Sequence, residues 1–361
     1  MNTLLVTGGA GFIGANFVHH WLGAHASSKV IVVDALTYAG NKSNLAPVAT
    51  NPRLHFVQAD ICDTDTMTRV LREHDVDCIV HFAAESHVDR SISGPDEFIR
   101  TNVLGTHSLL KAARGEWLKP GKPRGDVRFH HVSTDEVYGS LTSTSSAFTE
   151  TTPYSPNSPY SASKASSDHL VRAYAHTYGL PVTISNCSNN YGPYQFPEKL
   201  IPLMLIHALD GKPLPVYGKG ENVRDWLYVE DHCRAIDAIL TKGRVGETYN
   251  VGGENEWRNI DIVRLLCSIL ERRFEQDASL AKRFPQCPAA KGVSITTLIQ
   301  FVEDRLGHDW RYAIDPTKVR ADLGFAPRER FETGIEKTVS WYLENEQWWR
   351  TILSGEYRAA R

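Results

Sequence analysis

An α/β fold is predicted by three observations. Short β-branched runs alternate with helical patterns through the first half of the chain, a glycine-rich turn joins the first such run to the first helix, and after about Asn189 the pattern gives way to Pro, Gly, Tyr and Asn-rich loops around short helices. The first two specify a Rossmann-type doubly wound parallel sheet; the third adds a smaller mixed α/β lobe for substrate. Strands are expected at Thr3 to Thr7, Val30 to Asp34, Leu54 to Ala59, Cys78 to Phe82, Val127 to Ser133 and Val182 to Asn186. These are short β-branched runs, the sequence form of a buried parallel sheet. Helices are expected to begin near Phe12, Asp65, Asp96 and Ser158. The Asp96 helix (Phe98, Val103, Leu104, Leu109, Leu110) and the Ser158 helix (Ala165, Leu170, Ala173, Tyr174) keep apolar stripes over several turns. A helix from Val229 to Leu240 and a strand at Glu247 to Val251 return to the main sheet. The expected division is therefore discontinuous: 1–188 with 229–251 for the dinucleotide-binding domain, and 189–228 with 252–361 for the substrate lobe.

The balance of charges excludes some partners. With 39 Lys and Arg against 42 Asp and Glu the net charge is −3, so no cationic field attracts nucleic acid. No apolar run approaches the roughly 20 residues of a membrane span, and no basic flank precedes an apolar stretch at the N-terminus, so membrane insertion and secretion are not expected. Six scattered cysteines form no CxxC pair, which suits a reduced, cytoplasmic setting. His19-His20 lies on a helix and His130-His131 in a strand, where neighbours point apart, so no metal site is expected.

Thr7-Gly8-Gly9-Ala10-Gly11-Phe12-Ile13-Gly14 follows the first strand and opens the first helix. Glycines at 8, 11 and 14 suit a tight turn and close approach of backbone to a pyrophosphate lying on the helix N-terminus. Asp34 ends the second strand, where an acid hydrogen-bonds a ribose 2'-hydroxyl and repels a 2'-phosphate, so NAD is favoured over NADP. Asp60, at the end of the third strand, either receives the adenine amino group or is a turn residue. Phe82-Ala83-Ala84 ends the fourth strand with small residues against which a flat cofactor can lie; local packing explains the alanines equally well. Glu85 and Ser86, just beyond, reach a sugar or cap the next turn.

Tyr160 and Lys164 stand four apart, hence on one helix face, where a cation lowers the phenol from its usual pKa near ~10 and makes it a base. Thr134-Asp135-Glu136 comes at a strand's C-terminal end, where open α/β sheets place their ligands. Thr134 there either caps a helix or hydrogen-bonds a substrate hydroxyl. Hydride transfer needs one base; two adjacent carboxyls imply a second proton-transfer step, with one group as acid and the other as base. Arg224, in Glu221-Asn222-Val223-Arg224-Asp225-Trp226, is a candidate diphosphate clamp. Ser140 to Ser146 is small and polar, a surface loop beside Thr134 with room for a lid role. Cys187 reads as a buried structural thiol.

The segments TGGAGFIG, AESHVDRS, STDEVYG, SPYSASK, NCSNNYGPYQFPEKLIP, GENVRDWLYVEDH and YNVGGENEWRNIDIV together resemble the dTDP-glucose 4,6-dehydratase family of extended short-chain dehydrogenases/reductases. The resemblance covers nearly the whole chain. TGGAGFIG and YxxxK mark only the superfamily; the Thr-Asp-Glu triplet is more specific. It implies a hydro-lyase acting on dTDP-glucose with bound NAD, and a homodimer formed through two long helices. It implies catalytic roles for Thr134, Asp135, Glu136, Tyr160 and Lys164, and adds Ile61 and Asn190 to the cofactor contacts. Asn189, Lys199, Leu200, Pro215, Tyr217, Asn259, Arg305 and His308 would line the substrate site with Arg224. The sequence departs from the family at Leu306 and Trp310, where Pro and Arg are usual, and carries extra residues between about Arg272 and Thr297. A nucleotide-sugar 4-epimerase, which gives the two acids no role, and a dinucleotide sensor without turnover are the alternatives.

Overall fold

The computed structural model describes residues 1–358. Seven parallel strands form its central sheet: β1 (Thr3–Thr7), β2 (Lys29–Asp34), β3 (Leu54–Gln58), β4 (Cys78–His81), β7 (Arg128–Thr134), β8 (Val182–Cys187) and β12 (Thr248–Val251), in the order β12-β8-β7-β4-β1-β2-β3. The order reverses between β1 and β4, which opens a crevice at the carboxyl ends of the strands. A two-residue pair, β5 (Leu118–Lys119) and β6 (Lys122–Pro123), precedes β7.

Helices cover both faces because the strands are apolar on both. Helices α1 (Phe12–Ala24) and α8 (Val229–Lys242) pack on one side through Phe17, Trp21, Cys233 and Ile236. On the other, α2 (Thr64–Glu73), α5 (Thr106–Trp117) and α6 (Pro159–Tyr178) bury Met67, Leu110, Trp117 and Val171. Ser158 starts α6 with a capping box to Ser161, Pro159 stands in its first turn, and Gly179 closes it in the left-handed conformation. The helix expected from Asp96 is interrupted. After α3 (Val88–Ser93) and a short α4 (Asp96–Phe98), residues Ile99–Gly105 are π-helical before α5 begins. Such a widened turn leaves no periodic trace in the sequence.

A second core holds the rest of the chain. It joins α7 (Leu200–Leu209), α9 (Asn259–Gln276), α10 (Ser279–Arg283), α12 (Phe331–Glu344) and α13 (Glu346–Ser354) around Leu205, Leu266, Phe331 and Tyr342. Two small sheets border it: β9 (Asn189–Tyr191), β11 (Val223–Tyr228) and β13 (Glu256–Arg258) in one, β10 (Leu214–Tyr217) with β14 (Ile299–Val302) in the other. Helix α11 (Thr317–Leu323) packs back on β12. The extra residues after Arg272 are part of this core. Leu280, Phe284, Cys287 and Ile295 are buried there, Phe284 stacked on Trp349. Leu306 and Trp310, by contrast, lie exposed on the loop after β14.

Candidate active site

The glycine turn is built as the spacing predicts. Gly8 has φ +69°, and a Cβ there would stand 2.7 Å from the Ala83 backbone nitrogen; one at Gly14 would stand 2.3 Å from the Gly8 carbonyl oxygen. Those two positions admit only glycine, and they leave bare backbone at the mouth of α1 for a pyrophosphate. Asp34 closes this end: its carboxylate accepts the Ala10 N–H at 2.9 Å and the Leu36 N–H at 2.8 Å.

One long cleft runs from this turn along the carboxyl ends of the strands. Gly8, Gly11, Phe12, Ile13, Gly14, Asp34, Asp60, Ile61, Phe82, Ala83, Ala84, Glu85 and Ser86 line it, followed by Thr134, Asp135, Glu136, Tyr160, Lys164, Asn189, Asn190 and Lys199. This is the dinucleotide cradle continuous with the acid pair. Asp60 is engaged by Arg100 at 2.6 Å. The other expected substrate residues, Leu200, Pro215, Tyr217, Arg224, Asn259, Arg305 and His308, do not line that cleft. Arg224 is buried, its guanidinium donating to the carbonyls of Val223 and Asp309 and lying over the Tyr312 ring. Arg305 pairs with Asp89 at 2.9 Å, Tyr217 OH donates to the same carboxylate at 3.2 Å, and His308 meets Asp304. The cleft also takes in Thr37, Tyr38, Phe196 and Glu198, which sequence reasoning did not single out although the last two sit within NCSNNYGPYQFPEKLIP.

Thr134 ends β7 and also caps the following 3-10 turn, Asp135–Tyr138, its hydroxyl accepting from the Glu136 N–H. The capping reading is what this contact shows. That turn directs both acids inward. Burial, together with Glu136 and Asp225 nearby, pushes the Asp135 carboxyl well above the usual range. Burial also raises Glu136, opposed by the cations of Arg305, Arg224 and Lys199. Two neighbouring carboxyls in unequal surroundings are what an acid and a base require.

The expected pull of Lys164 on Tyr160 differs in the structure. The ammonium donates to the Val132 carbonyl at 2.9 Å, and burial, with Glu136 adding to it, holds the Tyr160 phenol well above its ordinary value. A Thr134 hydrogen bond opposes this. Ser140 to Ser146 is fastened at its start, Leu141 pairing with Arg311 and Ser140 Oγ accepting the Trp310 N–H. His130 and His131 point to opposite faces as expected, His130 toward Thr183 and Ser185, His131 toward Asp168.

The family model described as GDP-mannose 4,6 dehydratase matches residues 5–338. A dTDP-glucose 4,6-dehydratase of Neisseria meningitidis is 55% identical over 100% of this chain and 99% of its own length, and one of Escherichia coli is 53% identical over 99% and 98%. The chain belongs to the dTDP-glucose 4,6-dehydratase family. Among solved structures, the dTDP-glucose 4,6-dehydratase of Streptomyces venezuelae, with NAD bound, superposes with a TM-score of 0.86 at 48% identity, covering 97% of this chain and 99% of that one. A UDP-glucose 4-epimerase of Thermotoga maritima shares the fold at TM-score 0.79 and 28% identity, covering 95% and 99%. Membership of the dTDP-glucose 4,6-dehydratase family accords with the cleft, where Asp135 and Glu136 stand beside Tyr160 and Thr134. No helix among the described residues is long and apolar enough to cross a membrane.

Proposed function

We propose that this chain converts dTDP-glucose to dTDP-4-dehydro-6-deoxyglucose, as a hydro-lyase that uses NAD without net consumption. The single observation that carries the reading is the gathering of Asp135 and Glu136 with Tyr160 and Thr134 at one end of a dinucleotide cradle. When bound, NAD supplies the redox chemistry, taking hydride from C4 and returning it at C6. Thr134 holds the O4 hydroxyl while Tyr160 takes its proton, with Lys164 one helical turn on along the same face. A ketone at C4 acidifies the C5 hydrogen, which Glu136 removes. Asp135, kept protonated by burial, gives its proton to the departing C6 hydroxyl, and water leaves. Glu136 then returns a proton to C5. Arg224 and Arg305, outside the cleft lining, act on the charge of Glu136.

Incubation with dTDP-glucose tests the reading: a product lighter by one water is expected, and an epimer of unchanged mass contradicts it. The reading includes the two-domain division at 188/189, 228/229 and 251/252. The separate cores support it, since Val229 to Leu240 and β12 pack with the central sheet while Leu205, Leu266 and Phe331 build a second core. It also includes a homodimer. Ile99, Leu104 and Tyr178 are exposed on and beside the long helices, an apolar face that a second copy would cover. Sedimentation should give a dimer; a monomer at assay concentration rejects this part.

A further inference from the structure

The face of α6 that carries Tyr160 and Lys164 continues one turn further to Asp168, which is fully buried and absent from the cleft lining. A buried carboxylate outside a reaction site requires an explanation, because desolvating it is costly. Ser133 Oγ donates to Asp168 Oδ2 at 2.9 Å and Tyr154 OH donates to the same oxygen at 2.8 Å. His131 Nε2 lies 3.2 Å from Oδ1. Asn186 Nδ2 reaches Oδ2 at 3.5 Å and donates to the Thr134 carbonyl at 3.1 Å. The carboxylate therefore ties α6 to the ends of β7 and β8, directly behind Thr134.

We propose that Asp168 is a positioning residue for this reaction, its carboxylate standing one helical turn from Lys164 on the same face as the counter-charge to that ammonium, and its hydrogen bonds fixing the strand end that presents Thr134, Asp135 and Glu136. The inference rests on the proposed dehydratase reading. Asp168 faces His131 and Ser133 from β7, Asn186 from β8, Tyr154 from the preceding loop, and Lys164 and Arg172 from its own helix. Lys164 donates to the Val132 carbonyl of β7, faces Cys187 from β8 and acts on His81 and His131. His131 is held down to about 4 by burial, so it stays neutral and adds no competing cation. Burial lowers Lys164, and Asp168 is the main group opposing that loss. Burial pushes Asp168 up, but His131, Lys164 and Tyr154 hold it below the ordinary carboxylate value.

Lys164 works as a cation, so removing the nearby anion lets its proton go at lower pH, and activity must fail earlier as pH rises. Asp168→Asn is expected to shift the alkaline limb of kcat down by about one pH unit, an approximately tenfold loss at the alkaline end, with KM nearly unchanged. Asp168→Glu restores the charge and should restore the limb. Ser133→Ala removes a hydrogen bond and keeps the charge; it should lower Tm and leave the limb in place. An unmoved limb in Asp168→Asn, or an equal shift in Ser133→Ala, overturns the proposal. Wild-type protein with 15N-labelled lysine needs no variant and covers the case of a misfolded Asn chain: the Lys164 ammonium should persist beyond about pH 8, and its deprotonation below that rejects the proposal. Failure of the wild type to dehydrate dTDP-glucose would reject the dehydratase reading instead, while the spectra would still report on the Lys164 charge.

Discussion

Glu136→Gln should leave oxidation at C4 intact and stop the reaction before water is lost. The amide matches the carboxyl in shape and keeps the neutral contacts of the cleft, but it cannot take a proton from C5. Burial raises the Glu136 carboxyl while Arg305, Arg224 and Lys199 oppose that rise, and the substitution removes the group on which they act. Turnover is expected to fall roughly 10²- to 10⁴-fold, the usual worth of a positioned base. Acid-quenched reactions should contain sugar oxidised at C4 with its C6 hydroxyl still present. Unaltered dehydration in this variant would remove Glu136 from its role.

Tyr160→Phe should fail one step earlier. The ring keeps its place near Phe98, at a centroid distance of 6.3 Å, so packing is conserved while the phenolic oxygen is lost. With nothing to accept the O4 proton, kcat is expected to drop by about 10²- to 10⁴-fold, and quenched reactions should hold only starting sugar. The two variants are thereby distinguished by where the sugar stops. A Phe variant that still yields C4-oxidised sugar would assign the base elsewhere.

Much of this site was legible before the fold was known, for reasons that differ from residue to residue. The strands were readable because burial on both faces demands unbroken apolar runs, as in Val30 to Val33. Gly8 and Gly14 were readable because no other side chain fits where the Gly8 carbonyl and Ala83 crowd them. Tyr160 and Lys164 were readable from helical spacing alone. The π-helical stretch at Ile99–Gly105 was not, since its extra residue per turn depends on tertiary packing against α6. Tyr38 and Glu198 were missed because they reach the cleft from loops whose course no periodicity records. The Lys164 contact with the Val132 carbonyl was invisible for another reason: spacing places a side chain on a face without choosing its partner. Asp168 lay on the same face and passed unnoticed because only three dimensions show what its carboxylate ties together.

The central claim is that oxidation at C4 and loss of water across C5 and C6 are steps of one cycle in one cleft. Incubation with dTDP-glucose carrying deuterium at C4 tests this most directly. A dehydrated product with that deuterium at C6 is expected; dehydration with the label still at C4, or an epimer with no water lost, would contradict a single cycle.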